Sequence, residues 1–202
     1  ADIVVIRHSH AGAPDILAER HPSHIVNAGD GYHEHPTQGL LDAFTIRSHI
    51  RKLRDDPEAG LDGVRVAIIG DIAHSRVARS DVWGLTKLGA SVVLCGPTTL
   101  MPAEAKRFGV DVTSDLREAM EGAGVVYALR MQLERQASSL FPSIREYIRL
   151  FRVDRESLKA APDNALIMHP GPMNRDIELA SDVADGPRSV VREQVSNGVA
   201  IR

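Results

Sequence analysis

The chain has 202 residues, 43% of them hydrophobic, and a formal net charge of −3. That size and apolar content suffice for one large domain, or one domain and part of another. The slight acidity gives no electrostatic ground for binding nucleic acid or an anionic membrane, and no apolar run approaches the length of a membrane span. The single cysteine, Cys95, cannot form an internal disulfide and lies in an apolar run, which suits a reducing cytoplasm.

Apolar runs and helical spacings alternate along the chain. Residues 3–6 read as a buried strand already under way at Ala1, residues 14–19 as a helix, and residues 25–26 as a short strand before a turn at 27–31. A long helix is predicted over 36–53, with Pro36 in its first turn and Leu40, Leu41, Phe44 and Ile46 as apolar positions. The polar, turn-rich segment 54–60 reads as a domain junction. After it, strands are expected at 64–69, 91–94, 125–129 and 165–168, with helical segments at 75–88, 102–108, 115–120 and 155–160. Continuous apolar strands separated by helices predict an α/β fold, a doubly wound parallel sheet with helices on both faces. The domain reading is residues 1–59, then 60–187, then a returning helix from 188 to 202.

Four loop motifs carry chemistry. Gly31-Tyr32-His33-Glu34-His35-Pro36-Thr37-Gln38 puts an imidazole, a hydroxyl and a carboxamide at the mouth of the long helix. Free backbone N–H groups and the positive dipole end favour an anionic or carbonyl ligand there. Gly70-Asp71-Ile72-Ala73-His74-Ser75-Arg76 follows a strand and opens a helix, but holds one glycine where a dinucleotide fingerprint needs three. A plain strand-to-helix turn, capped locally by Asp71, accounts for its first two residues and leaves Arg76 and Arg79 unexplained. Arg130 and Gln132 follow the strand at 125–129, where an arginine suits bidentate capture of a carboxylate, although an ordinary charged loop would look similar. His169-Pro170-Gly171-Pro172 makes a stiff turn able to aim backbone carbonyls at a ligand, or merely to end a strand. Six of the nine histidines fall in the first 35 residues, yet no His-Glu-x-x-His helix and no second thiol accompany them, so a metal site is not expected. No nucleophile elbow or Walker loop occurs.

Val5-Ile6-Arg7-His8, Asn27-Ala28-Gly29-Asp30-Gly31, His35-Pro36-Thr37-Gln38, the segments containing Arg76 and Arg130, and His169-Pro170-Gly171-Pro172-Met173-Asn174-Arg175 occur in one order. Together they resemble the catalytic chain of bacterial aspartate carbamoyltransferase over essentially the whole length. The resemblance implies transfer of a carbamoyl group from carbamoyl phosphate to the amine of L-aspartate, in pyrimidine biosynthesis, without metal or organic cofactor. It implies that Arg7 and His35 are catalytic and that Arg7, His35, Gln38, Gly171 and Pro172 bind carbamoyl phosphate. Arg76, Arg130 and Gln132 would bind aspartate. It further implies a cytoplasmic homotrimer with shared sites, with a regulatory chain or a dihydroorotase as candidate partners. The family's Ser-Thr-Arg-Thr phosphate loop and the lysine loop lent by a neighbouring subunit are not in this sequence, the closing helix is cut short, Ser9 replaces a usual proline, and Asp176 a usual glycine. A catalytically silent assembly module and an ornithine carbamoyltransferase stay open as alternatives.

Overall fold

Alternation within single strands decides the architecture. In Arg65–Ile69 (β3), Val66 and Ile68 point to one apolar cluster while Ala67 and Ile69 point to another. Ser91–Cys95 (β4) divides in the same way, Val92 and Leu94 against Val93 and Cys95. A strand buried on both faces must be covered on both faces. The computed structural model, which describes residues 1–131 and 143–201, shows that covering.

Two shorter elements open the chain. Ile3–His8 (β1) pairs in parallel with His24–Asp30 (β2), and Ala13–Arg20 (α1) connects them. The predicted turn at 27–31 is mostly strand: Asn27 stays in register with Ile6, and after an irregularity Asp30 lies opposite His8. Pro36–Arg54 (α2) follows. The main sheet is wholly parallel and adds Asp111–Thr113 (β5), Val125–Ala128 (β6) and Leu166–Met168 (β7), in the order β5-β4-β3-β6-β7. The chain runs outward from β3 through β4 to β5, then crosses back to lay β6 on the other side of β3. The carboxyl ends of β3 and β6 therefore flank a topological switch point, the place where open parallel sheets form a ligand crevice.

One face carries α2 and Arg76–Lys87 (α3), through Ala43, Ile46 and Ile50 from the first and Ala78, Val82 and Leu85 from the second. Val191–Ile201 (α7) lies along α2: Asn197 donates to Thr45 Oγ1 at 2.8 Å and His49 pairs with Glu193 at 2.9 Å. The opposite face carries Leu116–Met120 (α4), Ile144–Phe151 (α5) and Ser181–Ala184 (α6). The segments expected to be helical at 102–108 and 155–160 contract to the 3₁₀ turns Ala105–Phe108 and Ser157–Ala160. At the strand ends Gly96 packs so tightly on the carbonyl of Gly70 that any side chain there would collide with it. No helix among the described residues is long and apolar enough to cross a membrane.

Candidate active site

A cleft of about 240 Å³ opens at the switch point. It is lined by His74, Ser75 and Arg76 after β3, by Leu129 and Arg130 after β6, and by Pro170, Gly171 and Pro172 after β7. Arg7 from β1 and His35 and Gln38 from the start of α2 close it from the other side. Among the described residues, three guanidinium groups and no carboxylate line this space, so their field favours a ligand with several negative charges.

His35 is the N-cap of α2 and is buried. Its backbone N–H donates to Ser80 Oγ of α3 at 2.9 Å, which ties the mouth of one helix to the flank of the next. Thr37 Oγ1 lies 3.3 Å from His35 Nδ1. A hydroxyl donating there leaves the ring proton on Nε2, the tautomer suited to hydrogen-bonding a carbonyl oxygen. The first turn of α2 adds the positive end of its dipole to the same region.

The loop before His35 is built on Asp30. Its fully buried carboxylate accepts from Gly12 N–H (2.7 Å), Asn27 Nδ2 (3.0 Å) and Glu34 N–H (3.1 Å), and lies 3.0 Å from His33 Nδ1. Burial opposes its charge, but the bonds from Asn27, Gly12, His33 and Glu34 outweigh burial and hold its pKa at about 2. His33 thus serves the loop and does not line the cleft.

Arg76 opens α3 and is 7% exposed. Its Nη1 donates to the carbonyl of Gly31 at 3.5 Å, and its guanidinium lies across Gly29, whose φ is +113°. Arg79 faces elsewhere, with Glu104 at 3.7 Å and the Phe108 ring at 5.8 Å. The helix cap is Ser75, accepting from Ala78 N–H at 3.1 Å, rather than Asp71. Asp71 instead holds His74, through the ring Nδ1 at 2.7 Å and the backbone N–H at 3.3 Å. Beyond the family motif, no role was expected for His74 or Ser75. An aspartate and a histidine three residues apart at a strand-to-helix turn were the available signal.

The turn after β7 is held from behind. His169 is fully buried; its Nδ1 accepts from Gly171 N–H at 2.9 Å, and its Nε2 faces Glu178 Oε1 at 3.2 Å. The Gly171-Pro172 peptide is cis. Asp176 turns away, its carboxylate accepting from the backbone and hydroxyl of Ser181 at 2.9 Å. Gln132 lies outside the described residues. Of the expected site residues, the structure thus gathers Arg7, His35, Gln38, Arg76, Arg130, Gly171 and Pro172 around one cleft. No group of three metal-ligating side chains occurs among the described residues.

A sheet with this strand order and a cationic crevice at its switch point places the chain among open parallel α/β proteins with a ligand crevice at the strand ends. The comparisons with known proteins name the family. Residues 62–202 match the family model "Aspartate/ornithine carbamoyltransferase, Asp/Orn binding domain", and residues 1–48 match the carbamoyl-P binding domain model of the same family. The chain belongs to the aspartate/ornithine carbamoyltransferase family. It is 56% identical over 202 residues to the aspartate carbamoyltransferase catalytic subunit of Acetivibrio thermocellus, and 55% identical over 201 residues to that of Heliobacterium modesticaldum. In both cases the match takes in all of this chain and 62% of the relative, so the chain spans less than two thirds of their length. Among solved structures, aspartate transcarbamoylase from Trypanosoma cruzi in complex with carbamoyl phosphate superposes with a TM-score of 0.84 at 29% identity, covering all of this chain and 64% of that one. Ornithine carbamoyltransferase from Pyrococcus furiosus gives 0.82 at 27% identity, again over all of this chain and 64% of the other.

Proposed function

We propose that this chain carries the aspartate-binding half and part of the carbamoyl-phosphate-binding half of an aspartate carbamoyltransferase. The reaction joins the amine of L-aspartate to the carbonyl carbon of carbamoyl phosphate, breaks the bond from that carbon to the phosphate oxygen, and releases N-carbamoyl-L-aspartate, phosphate and the surplus proton of the amine. The observation that carries the reading is the convergence of Arg7, His35, Arg76, Arg130 and the Pro170-Gly171-Pro172 turn on one small cleft.

Each group has a role set by its chemistry. Arg7, a permanent cation on β1, attracts the phosphate and carbonyl oxygens of carbamoyl phosphate. His35, with its proton on Nε2, hydrogen-bonds the carbonyl oxygen and stabilises the charge that grows there as the tetrahedral centre forms. The carbonyl groups of the turn, with Gln38, receive the carbamoyl N–H groups. Arg76 and Arg130 grip the two carboxylates of aspartate and bring its amine to the carbon, so that proximity and electrostatics supply the acceleration. The same cations disfavour ornithine, whose side-chain amine would lie near them. By family resemblance the proposal includes a homotrimer with shared sites.

The test is formation of carbamoyl-aspartate by a chain of full family length containing this sequence. We expect turnover with aspartate and none with ornithine, and loss of about a hundredfold or more in kcat for His35→Ala. Unchanged turnover in His35→Ala or Arg130→Ala overturns the assignment.

A further inference from the structure

Behind the cleft, four hydrogen bonds meet on the buried carboxyl of Asp42. Gln38 donates its Nε2 to both oxygens (3.1 and 3.2 Å), Tyr127 donates its hydroxyl to Oδ2 (2.7 Å), and Gln194 of α7 donates Nε2 to Oδ1 (2.6 Å). The polarity of this chain of bonds is set at its far end. The backbone N–H of His169 donates to Gln194 Oε1 at 3.1 Å, and a backbone N–H can only donate. Gln194 therefore turns Oε1 to His169 and Nε2 to Asp42. An ionised carboxylate can only accept, so Gln38 must turn its Nε2 inward and leave Oε1 as the end that faces the cleft.

The charge state agrees with this polarity. Burial pushes the Asp42 carboxyl up to about 6, with Tyr127, Gln194 and Gln38 opposing the rise, and the convergence of three donor groups on its two oxygens is the arrangement that favours the carboxylate. Burial and the neighbouring Asp42 carboxylate hold the Asp81 carboxyl well above the usual range, while the donors from Gln38, Tyr127 and Gln194 all go to Asp42. The relay also reaches the turn after β7, because His169, whose N–H is fixed by Gln194, accepts Gly171 N–H.

We infer that Asp42 and Gln194 are positioning residues that make one end of the cleft an acceptor-only surface, and so select a ligand bearing NH₂ over one bearing CH₃ at the same place. The inference rests on the reading that carbamoyl phosphate occupies this cleft.

Calorimetry with two unreactive phosphonates tests it: phosphonoacetamide, which carries the NH₂, and acetonylphosphonate, which carries CH₃ instead. The protein is a chain of full family length containing this sequence, either unaltered or with Asp42→Asn or Gln194→Met. The unaltered protein should prefer the amide by about tenfold or more. Asp42→Asn can donate to Gln38 and let its carboxamide turn over, so the preference should fall by about threefold or more, the turn carbonyls keeping the remainder, while affinity for inorganic phosphate stays within about twofold. Gln194→Met, close in volume, should reduce the preference in the same direction and decides the matter if Asp42→Asn does not fold. An undiminished preference in a folded variant overturns this inference alone. An unaltered protein that binds neither phosphonate overturns the proposed function and this inference with it.

Discussion

The backbone N–H of His35 donates to Ser80 Oγ at 2.9 Å, so the residue that caps α2 is held by a side chain in the second turn of α3. Both residues are buried, and Gly39 on α2 allows the approach, since a Cβ there would stand 3.2 Å from Ser80 Cβ. Ser80→Ala removes the acceptor and leaves a buried donor to find another. We expect a loss of about 1–2 kcal/mol in unfolding free energy, read by urea titration. We also expect kcat to fall more than affinity for phosphate, because the imidazole drifts while the cations stay. A kcat equal to that of the unaltered protein would show that Ser80 does not hold the catalytic geometry.

Gly29 and Arg76 make a second such pair. A Cβ at residue 29 would come within 2.7 Å of the guanidinium carbon of Arg76, and φ at Gly29 is +113°, which an L side chain rarely adopts. Gly29→Ala should therefore both strain β2 and displace the guanidinium. The expected outcome is a rise in KM for aspartate with a smaller change in KM for carbamoyl phosphate, together with about 1–2 kcal/mol of destabilisation. Steady-state kinetics with each substrate varied in turn separates these effects.

Much of this arrangement was legible beforehand, because short parallel strands buried on both faces are nearly pure apolar runs, as at 66–69 and 92–94, although the second strand runs one residue further, to Cys95. The edge strand β5 was missed, since three half-exposed residues carry no pattern. The omission of α5 is different: Ser143 caps it, accepting from Glu146 N–H, and a serine followed by a glutamate three residues later is a start signal readable in the sequence. Among the site residues, loop motifs announced His35, Arg76 and Gly171. The Asp42, Tyr127, Gln194 and His169 relay was not announced, because its members stand far apart in the chain, from residue 42 to residue 194, and meet only through tertiary packing. Only Gln38 and Asp42, one helical turn apart, were neighbours that spacing could have paired.

Cys95 lies at the end of β4, fully buried. Burial, with the carboxylates of Asp115 and Glu118 adding to it, pushes its thiol up to about 12. A thiol without thiolate and without access is inert. Iodoacetamide at about pH 8 should leave the native protein unmodified and alkylate it once guanidinium has unfolded it. Mass spectrometry reads both. Rapid modification of the native protein would show that β4 opens locally.

The acid limb of stability should be set in part by Asp30. Its carboxyl is lowered from 3.8 to about 2 in the folded protein. A folded value below the unfolded one means that the unfolded chain binds the proton more readily. The stabilisation is therefore fully present above about pH 4 and is lost as the pH falls through about 2. For a shift of this size it amounts to about 2 kcal/mol. Asp30→Ala removes that contribution and also strands the N–H groups of Gly12 and Glu34. It should accordingly destabilise the protein at pH 6 and flatten the dependence of unfolding free energy on pH in the acid range. Because the same carboxylate shapes the loop leading to His35, kcat should fall in this variant even where the protein remains folded. Parallel acid titrations of the two proteins, followed by circular dichroism, would contradict the assignment if their slopes below pH 4 were the same.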